Sequence, residues 1–441
     1  MTFPTGLVHR KVTGSPNGAL YVASSNFDKC FDTGAVIALD LDALELPAIG
    51  AFEDGEPVQV TDLKVGPEAS VQIESFAGQM DVWNRRDGSA RLFVPTRAEN
   101  NNLHAIDVGA SDKTALSCVP NLEARNCLVG ALSLTAGVPV GTNTTAPRAP
   151  GPLGVRVSLN AEEKPEVWVT HLEAADSPEG SATNFRSFVV RVPGDGETLN
   201  LSSDNFFPLG STGLTNGAAH ATAVGTRYAY VTGRVFVAND TTQPATFLLR
   251  LVDRDDPSRV LETSLRLLYS TIEARDIAIS PTRVGNTERL YIVARAPDTL
   301  LVVDVAESES LRPTVSVVDA VPLPDGANQL AVLNRGALGD LVAVTATTTG
   351  VVVLYDAALG QIVSQVDNVG LQPFGITADV DAVANQARLY VTAFGDGRVA
   401  VIDIENLAVA QNARLVAHLG ARQGRDEEQG TSTCERQESE P

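Results

Sequence analysis

The chain repeats one pattern of apolar and polar positions along most of its length. Each copy has an apolar strand centred on a large residue, a turn, and a second apolar strand that often ends in aspartate. The runs RLYIVARAPDTLLVVDV (289–305) and RLYVTAFGDGRVAVIDI (388–404) are the clearest copies, and five other places match the pattern. The centres of the first strand lie 47 to 75 residues apart, and they are Tyr21, Phe93, Trp168, Tyr230, Tyr291, Ala343 and Tyr390.

Two more strands can be placed around each copy. An apolar segment such as PFGITADV (373–380) precedes it, and another such as TVSVVDAV (314–321) follows it. Seven such units predict an all-β fold, a seven-bladed β-propeller of four-stranded antiparallel blades. A single blade cannot bury both of its faces, whereas a ring of stacked blades buries them. We therefore expect the central aromatic residue to pack between blades and not to hold a cofactor.

The repeats indicate one domain followed by a tail. We predict a single propeller domain over residues 1–420, and a disordered tail over the polar and charged residues 421–441. The segments 136–152 and 173–184 are expected to form long loops around blade 3. The first strand starts close to Met1 and the last one ends at the end of the domain. This order predicts that each terminus completes its own blade and that packing alone closes the ring.

The repeat motifs resemble those of a known family. LYVT and LYVA, followed by VAVIDI or VIALDLD, are similar to the motifs of the YVTN-repeat β-propeller family. The resemblance covers residues 4 to 420 and implies the same fold. The long insertions and the early run SSNFDKCFDTGAVIALDLD also resemble exported bacterial propeller lipoproteins. Relatives of this type include surface-layer proteins, lactonase-like enzymes and quinoprotein subunits, so the resemblance is specific for fold and weak for function.

Charge and hydropathy disfavour some classes of partner. The chain carries 33 basic and 54 acidic residues, a formal net charge of −21 at pH 7. Such a negative field repels phosphate backbones and anionic lipids, so we expect neither nucleic acid nor a charged membrane surface as partner. No apolar run is long enough to span a bilayer, and no transmembrane segment is predicted. We also expect a monomer.

Cysteine spacing bears on the compartment. Cys118 and Cys127 bracket the segment CVPNLEARNC, whose spacing and Pro-Asn turn favour a small disulfide-closed loop. The alternative is free thiols in a cytosolic protein. A disulfide indicates an oxidising compartment, so we expect an exported protein that is periplasmic or attached to the outer membrane or cell surface. The sequence leaves the pairing of Cys30 and Cys434 open.

The start of the chain disagrees with that expectation when it is taken alone. The run MTFPTGLVHRKVTG lacks the apolar core of a signal peptide, which would indicate the cytoplasm. A signal segment upstream of Met1, carrying a lipidated cysteine, would reconcile the start of the chain with a disulfide.

Candidate binding residues come from the innermost strands, because propeller ligands commonly bind at the mouth of the central channel. Aligning these strands by their apolar pattern brings four polar residues and three glycines to one position: Gln79, His220, Asp276 and Gln329, with Gly6, Gly154 and Gly375. His220 and Asp276 come from neighbouring blades. They are candidates for a base with its orienting partner, or for ligands of a divalent metal. The simpler alternative is that these polar groups only solvate a wet channel.

The acidic run DRDDPS (253–258) is a second candidate for a metal, because carboxylates at alternating positions suit calcium. It lacks the glycine and the closing glutamate of a calcium loop, and we therefore interpret it as a hairpin turn. No cofactor is predicted, and calcium is the divalent metal that the pattern leaves open.

The motif content favours binding over catalysis. The sequence contains no Gly-x-Ser-x-Gly elbow, no phosphate-binding glycine loop and no HExxH motif. We predict a non-enzymatic binding or interaction scaffold at the cell envelope, with a protein or glycan partner. The alternative is a lactonase-like, metal-dependent hydrolase with its site at the channel mouth, where the aligned ring supplies one acid and one histidine. A quinone-type redox subunit is a weaker hypothesis, since the paired cysteine or tryptophan signals are missing.

Overall fold

The described part of the chain is a ring of seven sheets. The computed structural model describes residues 1–27, 31–51, 55–98, 101–121, 125–134, 151–171, 188–193, 199, 201, 205–209, 215–237, 246–265, 273–308 and 312–422. Within these ranges the innermost strands of successive sheets contact one another around a closed circle, which confirms the seven-bladed propeller. No helix in these ranges is long and apolar enough to cross a membrane. Cys30, Cys434, residues 136–150 and 173–184 of the two predicted loops, and residues 423–441 of the predicted tail lie outside them.

Blades 1 to 3 use the first fourteen strands. Blade 1 consists of β1 (Pro4–Val12), β2 (Ser15–Ser24), β3 (Gly34–Asp40) and β5 (Ser70–Ile73), with β4 (Val58–Val60) in the connection before β5. Blade 2 consists of β6 (Asp81–Asn84), β7 (Ala90–Thr96), β8 (Asn102–Val108), β9 (Leu116–Cys118) and β10 (Leu132–Ser133). Blade 3 consists of β11 (Pro152–Leu159), β12 (Pro165–His171), β13 (Phe188–Pro193) and β14 (Phe206–Pro208).

Blades 4 to 7 are regular four-stranded meanders. Blade 4 consists of β15 (Thr215–Val224), β16 (Tyr228–Val237), β17 (Thr246–Asp253) and β18 (Val260–Ser264). Blade 5 consists of β19 (Glu273–Ile279), β20 (Thr287–Arg295), β21 (Thr299–Ala306) and β22 (Thr314–Pro322). Blade 6 consists of β23 (Ala327–Asn334), β24 (Asp340–Ala346), β25 (Val351–Asp356) and β26 (Gln361–Val366). Blade 7 consists of β27 (Pro373–Asp381), β28 (Gln386–Ala393), β29 (Arg398–Ile404) and β30 (Arg414–Leu419). Short 3-10 helices occur at Pro67–Ala69, Gly336–Leu338 and Leu407–Asn412.

The arginine and aspartate that bracket the clearest repeats form an ion pair across two strands. Arg388 in β28 lies opposite Asp403 in β29. Two hydrogen bonds join them, from Nε to Oδ1 at 2.6 Å and from Nη2 to Oδ2 at 2.9 Å. A bidentate contact of this kind fixes the register of the two strands. The same pairing recurs in Arg91–Asp107 and Arg289–Asp304.

The aromatic residue at the centre of the second strand packs between blades, as the sequence predicts. The Tyr230 hydroxyl donates to Glu288 of blade 5 at 2.7 Å. Tyr390 stacks on His9 of blade 1, with ring centroids 5.5 Å apart. These side chains are fully buried or nearly so, and each joins an apolar cluster that includes residues of the next blade. They therefore belong to the core that holds neighbouring blades together.

A strand closes the ring, in addition to packing. β4 lies in the long connection of blade 1 and pairs in parallel with β30, the outermost strand of blade 7. The Val60 carbonyl accepts the N–H of Gly420 at 2.8 Å, and Arg388 of blade 7 donates to the Pro47 carbonyl at 2.8 Å. The prediction that packing alone closes the ring is therefore wrong. The alternation of Val58, Gln59 and Val60 is too short to distinguish a strand from a loop in the sequence.

Cys118 and Cys127 form the predicted disulfide. It closes the segment 118–127, here called the excursion, which lies between β9 and β10. Both of these strands pair with β8 at the outer edge of blade 2. The excursion docks on blade 1, where the N–H of Cys127 donates to the Gln72 carbonyl at 2.9 Å. His104 of blade 2 bonds through Nδ1 to the Cys127 carbonyl at 3.1 Å. The disulfide thus fixes a segment that joins blades 1 and 2.

The acidic run 253–258 connects β17 to β18, which confirms a hairpin turn. Its first carboxylate is used inside the protein. Oδ1 of Asp253 accepts the N–H of Asp255 at 3.1 Å, and Oδ2 lies 3.4 Å from Nη2 of Arg227. Asp253 therefore stabilises the turn through contacts within the protein.

Candidate functional site

The innermost strands carry a β-bulge where they line the channel. At each bulge two residues of the inner strand face one residue of the neighbouring strand. Crowding at the axis explains the glycines: a Cβ on Gly375 would lie 2.3 Å from the carbonyl oxygen of Thr5 in blade 1. The register of β15 places His220 at the first bulge position and Ala221 at the second. The second position is otherwise held by Gly6, Gly154, Asp276, Gln329 and Gly375.

Gln79 of blade 2 and Asp276 of blade 5 meet across the channel. Nε2 of Gln79 donates to Oδ1 of Asp276 at 3.2 Å, and both side chains are buried. The carboxylate also accepts the backbone N–H groups of Leu330 at 3.0 Å and Ile277 at 2.9 Å. Burial raises the pKa of Asp276, and the nearby charge of Arg156, 3.6 Å away, acts in the opposite direction. Because blades 2 and 5 are not neighbours, this contact spans the channel.

A second carboxylate, that of the half-buried Asp81, lies near the same arginine. Oδ2 of Asp81 accepts the N–H of Val157 at 2.7 Å, and Oδ1 accepts the N–H of Val82 at 2.9 Å. Burial raises the pKa of Asp81, whereas the charge of Arg156 lowers it. Asp81 and Asp276 therefore share the field of one guanidinium group, and backbone N–H groups donate to both carboxylates.

His220 and Asp276 bond to different partners. Nδ1 of His220 bonds to the carbonyl oxygen of Ala274 at 2.8 Å. Gln329 is half-buried, and its backbone N–H donates to Oγ1 of Thr345 at 3.1 Å. Of the four residues that the alignment selected, Gln79 and Asp276 come together. A role for any of the four in binding a ligand or a metal stays a prediction.

Metal-ligating side chains do not gather in the part of the chain that the structure describes. No three His, Cys, Asp or Glu side chains come close enough there to hold a metal ion. The carboxylate of Asp276 already accepts hydrogen bonds from Gln79 and from two backbone N–H groups. A cation at Asp276 would have to displace these donors.

A cavity of about 890 Å³, the mouth cavity, opens beside the axis on the face where the innermost strands begin. Its lining includes the first bulge residues of blades 5, 6 and 7, which are Arg275, Asn328 and Phe374. The other lining residues come from strand ends and connecting loops, at residues 295, 347–350, 368, 370–372, 394, 396, 398 and 422. A cavity of this size lies in the range that holds small ligands.

The lining of the mouth cavity is positively charged although the chain is strongly acidic. Among the described residues, Asp396 is the one carboxylate in the lining. Its oxygens bind Arg398 at 3.0 Å and Arg422 at 3.2 Å. Burial opposes ionisation, but the Leu371 N–H and these arginines hold the pKa of Asp396 below its usual value. The four arginines of the lining are Arg275, Arg295, Arg398 and Arg422, so they outnumber the acid.

Arg295 and Asn328 are held in the cavity wall by defined contacts. Nε of Arg295 donates to the Ala327 carbonyl at 2.5 Å, and Nη2 donates to the Gly326 carbonyl at 2.9 Å. Asn328 is only 5% exposed, and its Oδ1 lies 3.4 Å from Nη2 of Arg295. Nδ2 of Asn328 has no hydrogen-bond partner within the described ranges. The guanidinium charge therefore has a fixed place, next to a donor left unsatisfied.

Two phenylalanines form an aromatic wall on the side of blade 7. Phe374 and Phe394 are both half-buried, with ring centroids 5.9 Å apart. Phe394 extends this wall towards blade 1, where it lies 4.9 Å from Phe3 and 5.7 Å from Phe27. Phe27 is 45% exposed. The mouth cavity thus offers aromatic faces on one side and arginine charges on the other.

The sequence pointed to the channel mouth but missed the residues that give it charge. Arg275 and Asn328 directly precede Asp276 and Gln329, two of the predicted candidates. The bulge turns two successive residues towards one neighbour, whereas a simple alternation assigns them to opposite faces. The remaining arginines come from strand ends and loops, where a single sequence carries no periodic signal.

Comparisons with known proteins give structural matches only. No protein-family model matches the chain, and no curated protein matches it in sequence. Among solved structures, the chain is similar to hydrazine synthase of Kuenenia stuttgartiensis, with 11% identity over 90% of this chain and 97% of that one, and a TM-score of 0.50. It also matches the β-propeller domain of Cps50 (Swd1) from Myceliophteria thermophila, with 11% identity, coverage of 91% and 96%, and a TM-score of 0.49. Apo AztD from Citrobacter koseri gives 12% identity, coverage of 95% and 86%, and a TM-score of 0.40. At these identities the likeness concerns the fold alone.

Proposed function

We propose that the protein is a non-enzymatic propeller of the cell envelope that binds a protein or glycan partner through the mouth cavity. The positive lining of this cavity, in a chain with a formal net charge of −21, is the observation that carries the proposal. A rigid ring that presents one concave, charged opening is suited to binding.

Charge selects the class of ligand. The acidic surface repels anions over most of the molecule, whereas the mouth cavity attracts them. Arginine suits this task, because its planar guanidinium group donates two parallel hydrogen bonds to a carboxylate or phosphate. Arg275, Arg295 and Arg398 lie partly inside the protein, where the lower dielectric strengthens their interaction with an anion. The bound partner therefore presents an anionic group.

The envelope location rests on the disulfide. The Cys118–Cys127 bond holds a segment between blades 1 and 2, and such structural disulfides are made and kept in oxidising compartments. An exported propeller in the periplasm or at the outer surface would meet peptides and glycans as its natural ligands.

The lactonase-like, metal-dependent hydrolase is the alternative, and it has less support. Asp276 is the acid that the alignment placed at the axis, and N–H donors already occupy both of its oxygens. The described residues offer no group of three metal-ligating side chains. A hydrolase of this type needs a metal to polarise its substrate and to activate water.

Binding of a small polyanionic dye, followed by fluorescence anisotropy at low and high salt, tests the proposal. We expect saturable binding that weakens with salt and that falls by about tenfold in Arg275→Gln and in Arg422→Gln. Arg86→Gln is the matched control, because Arg86 is exposed in the turn between β6 and β7, at the opposite end of the blades. Absence of binding, or equal binding by all variants, would contradict the proposal.

A further inference from the structure

We infer that the ligand of the mouth cavity is an acidic saccharide, a short oligosaccharide that carries carboxylate groups. This inference rests on the proposed function and adds the chemical class of the ligand. Three features of the lining support it: arginine charges, a wall of hydroxyl and amide groups, and two aromatic faces.

The charged side of the cavity suits a carboxylate. Arg275, at the bulge of β19, and Arg295, at the end of β20, both line the cavity. The contacts of Arg295 with the carbonyls of Ala327 and Gly326 hold its guanidinium group in place before any ligand arrives. A pre-positioned cation loses little conformational entropy on binding, so a carboxylate gains more of the interaction free energy.

One part of the lining, the polar wall, carries hydroxyl and amide groups without charge. It consists of the threonines at 347–349 together with Asn368 and Gln372. Asn328 adds an amide donor without a partner within the described ranges. Hydroxyl and amide groups both donate and accept hydrogen bonds, as sugar hydroxyls do. This wall therefore matches a ligand with many hydroxyl groups better than a compact anion such as phosphate.

The aromatic wall separates a saccharide from other anions. Phe374 and Phe394 are half-buried at the cavity, so each keeps part of its ring accessible to a ligand. The apolar C–H face of a pyranose ring packs well on such a surface. An acidic peptide without aromatic or aliphatic side chains would bind the arginines and gain little from these rings. The volume of about 890 Å³ accommodates more than one sugar ring.

Titration calorimetry with three probes of matched length tests the inference. The probes are trigalacturonate, its neutral counterpart galactotriose, and triglutamate. We expect trigalacturonate to bind at least tenfold more tightly than either of the other two. Arg275→Gln should weaken both acidic probes, since both use the charge. Phe374→Leu should weaken trigalacturonate by about fivefold and leave triglutamate unchanged.

Phe76→Leu is the control for the aromatic wall. Phe76 is half-buried in the same cluster, 5.0 Å from Phe27, but does not line the cavity. The Phe76→Leu variant should leave all three affinities unchanged, and thermal melts of each variant report whether the fold is retained.

Equal binding of trigalacturonate and triglutamate would overturn the inference and leave the proposed function standing. Binding of galactotriose as tight as that of trigalacturonate would also overturn it. If neither acidic probe binds and the polyanionic dye does not bind either, both proposals fall.

Discussion

Thr345 donates a hydrogen bond from Oγ1 to the carbonyl oxygen of Phe374 at 3.0 Å, and this bond crosses from blade 6 to blade 7. The same hydroxyl accepts the N–H of Gln329 within blade 6 at 3.1 Å. Thr170 repeats the arrangement between blades 3 and 4, where it accepts the N–H of Gly154 and donates to the His220 carbonyl. Each threonine stands two residues after the central residue of the second strand of its blade, Trp168 in β12 and Ala343 in β24. Threonine at this position of the motif is thus explained by a contact between blades.

Blades without this threonine join their neighbours by other side chains. In blade 5 the position is Val293, and Asp276 accepts the N–H of Leu330 of blade 6 instead. In blade 1 the hydroxyl of Thr5 donates to the Ala77 carbonyl of blade 2 at 3.0 Å. The buried aspartate at the axis therefore has a structural role next to the channel, whatever ligand the mouth cavity binds.

Removing the hydroxyl of Thr345 should destabilise the propeller. Thr345→Val keeps the shape of the side chain and leaves the Phe374 carbonyl and the Gln329 N–H without their partner. We expect a loss of about 1–2 kcal/mol in the free energy of unfolding, measured by chemical denaturation. Thr345→Ser retains the hydroxyl and should lose clearly less. No loss in Thr345→Val, or a larger loss in Thr345→Ser than in Thr345→Val, would contradict a stabilising role of the hydrogen bonds.

Breaking the pairing of β4 with β30 should weaken the closure of the ring. Val60→Pro removes the backbone N–H of the residue whose carbonyl accepts the Gly420 N–H. We expect a lower melting temperature and faster hydrogen exchange in β30. Val65→Pro is the control, since Val65 is exposed and lies beyond β4. Unchanged exchange in β30 of Val60→Pro would show that packing suffices for closure.

Reduction of the Cys118–Cys127 disulfide should destabilise the protein by about 2–3 kcal/mol, because it closes a short loop of the unfolded chain. The Cys118→Ala/Cys127→Ala double variant should show the same loss without reductant. Hydrogen exchange should rise first at Gln72, whose N–H donates to the Arg125 carbonyl of the excursion at 2.8 Å. If reduction leaves stability and exchange at Gln72 unchanged, the excursion is held by its other contacts.

Acid should destabilise the protein through His104. Burial lowers the pKa of His104 to about 4, while the hydrogen bond to the Cys127 carbonyl opposes the shift. Nε2 lies 3.3 Å from the N–H of Glu74 and accepts from it, which favours the neutral ring. The unfolded state therefore binds the proton more readily, and the stabilisation is present above about pH 6.5 and lost as the pH falls towards 4.

The free energy of unfolding that His104 contributes should fall by about 3 kcal/mol by pH 4. Burial and the charge of Arg398 also lower the pKa of His418 to about 4, so it contributes in the same pH window. Denaturation curves between pH 7 and pH 4 measure the slope of stability against pH. His104→Asn should make that slope shallower, and an unchanged slope would exclude His104 as its source.

The sequence predicted the ring because every blade repeats the same apolar strands. Tyr230 and Tyr390 take the inter-blade positions expected from their place in the motif. The pair Cys118–Cys127 followed from its spacing. The closure of the ring by the hydrogen bond between Val60 and Gly420 was not predicted, because it joins residues far apart in the chain. Long-range pairing of short polar segments has no local signature.

The candidate site was predicted only in its location. Gln79 and Asp276 meet as a polar bridge, but no pattern in the chain announces a contact between blades 2 and 5. Arg275 was hidden by the bulge, which shifts the alternation by one residue. Arg398 and Arg422 reach the cavity from a strand start and from the segment after β30. Charge that converges from separate loops becomes visible only in the folded structure.

The most direct test of an anion-binding site in the mouth cavity is to block the cavity and to measure anion binding on the same sample. Thr348 is exposed and lines the cavity, so Thr348→Cys offers a site for a bulky maleimide reagent. Binding of the polyanionic dye is measured before and after labelling, with reagent-treated wild-type protein and labelled Arg86→Cys as controls. We expect labelling at position 348 to abolish dye binding and both controls to retain it. Undiminished binding by the labelled Thr348→Cys protein would contradict a ligand site in the mouth cavity.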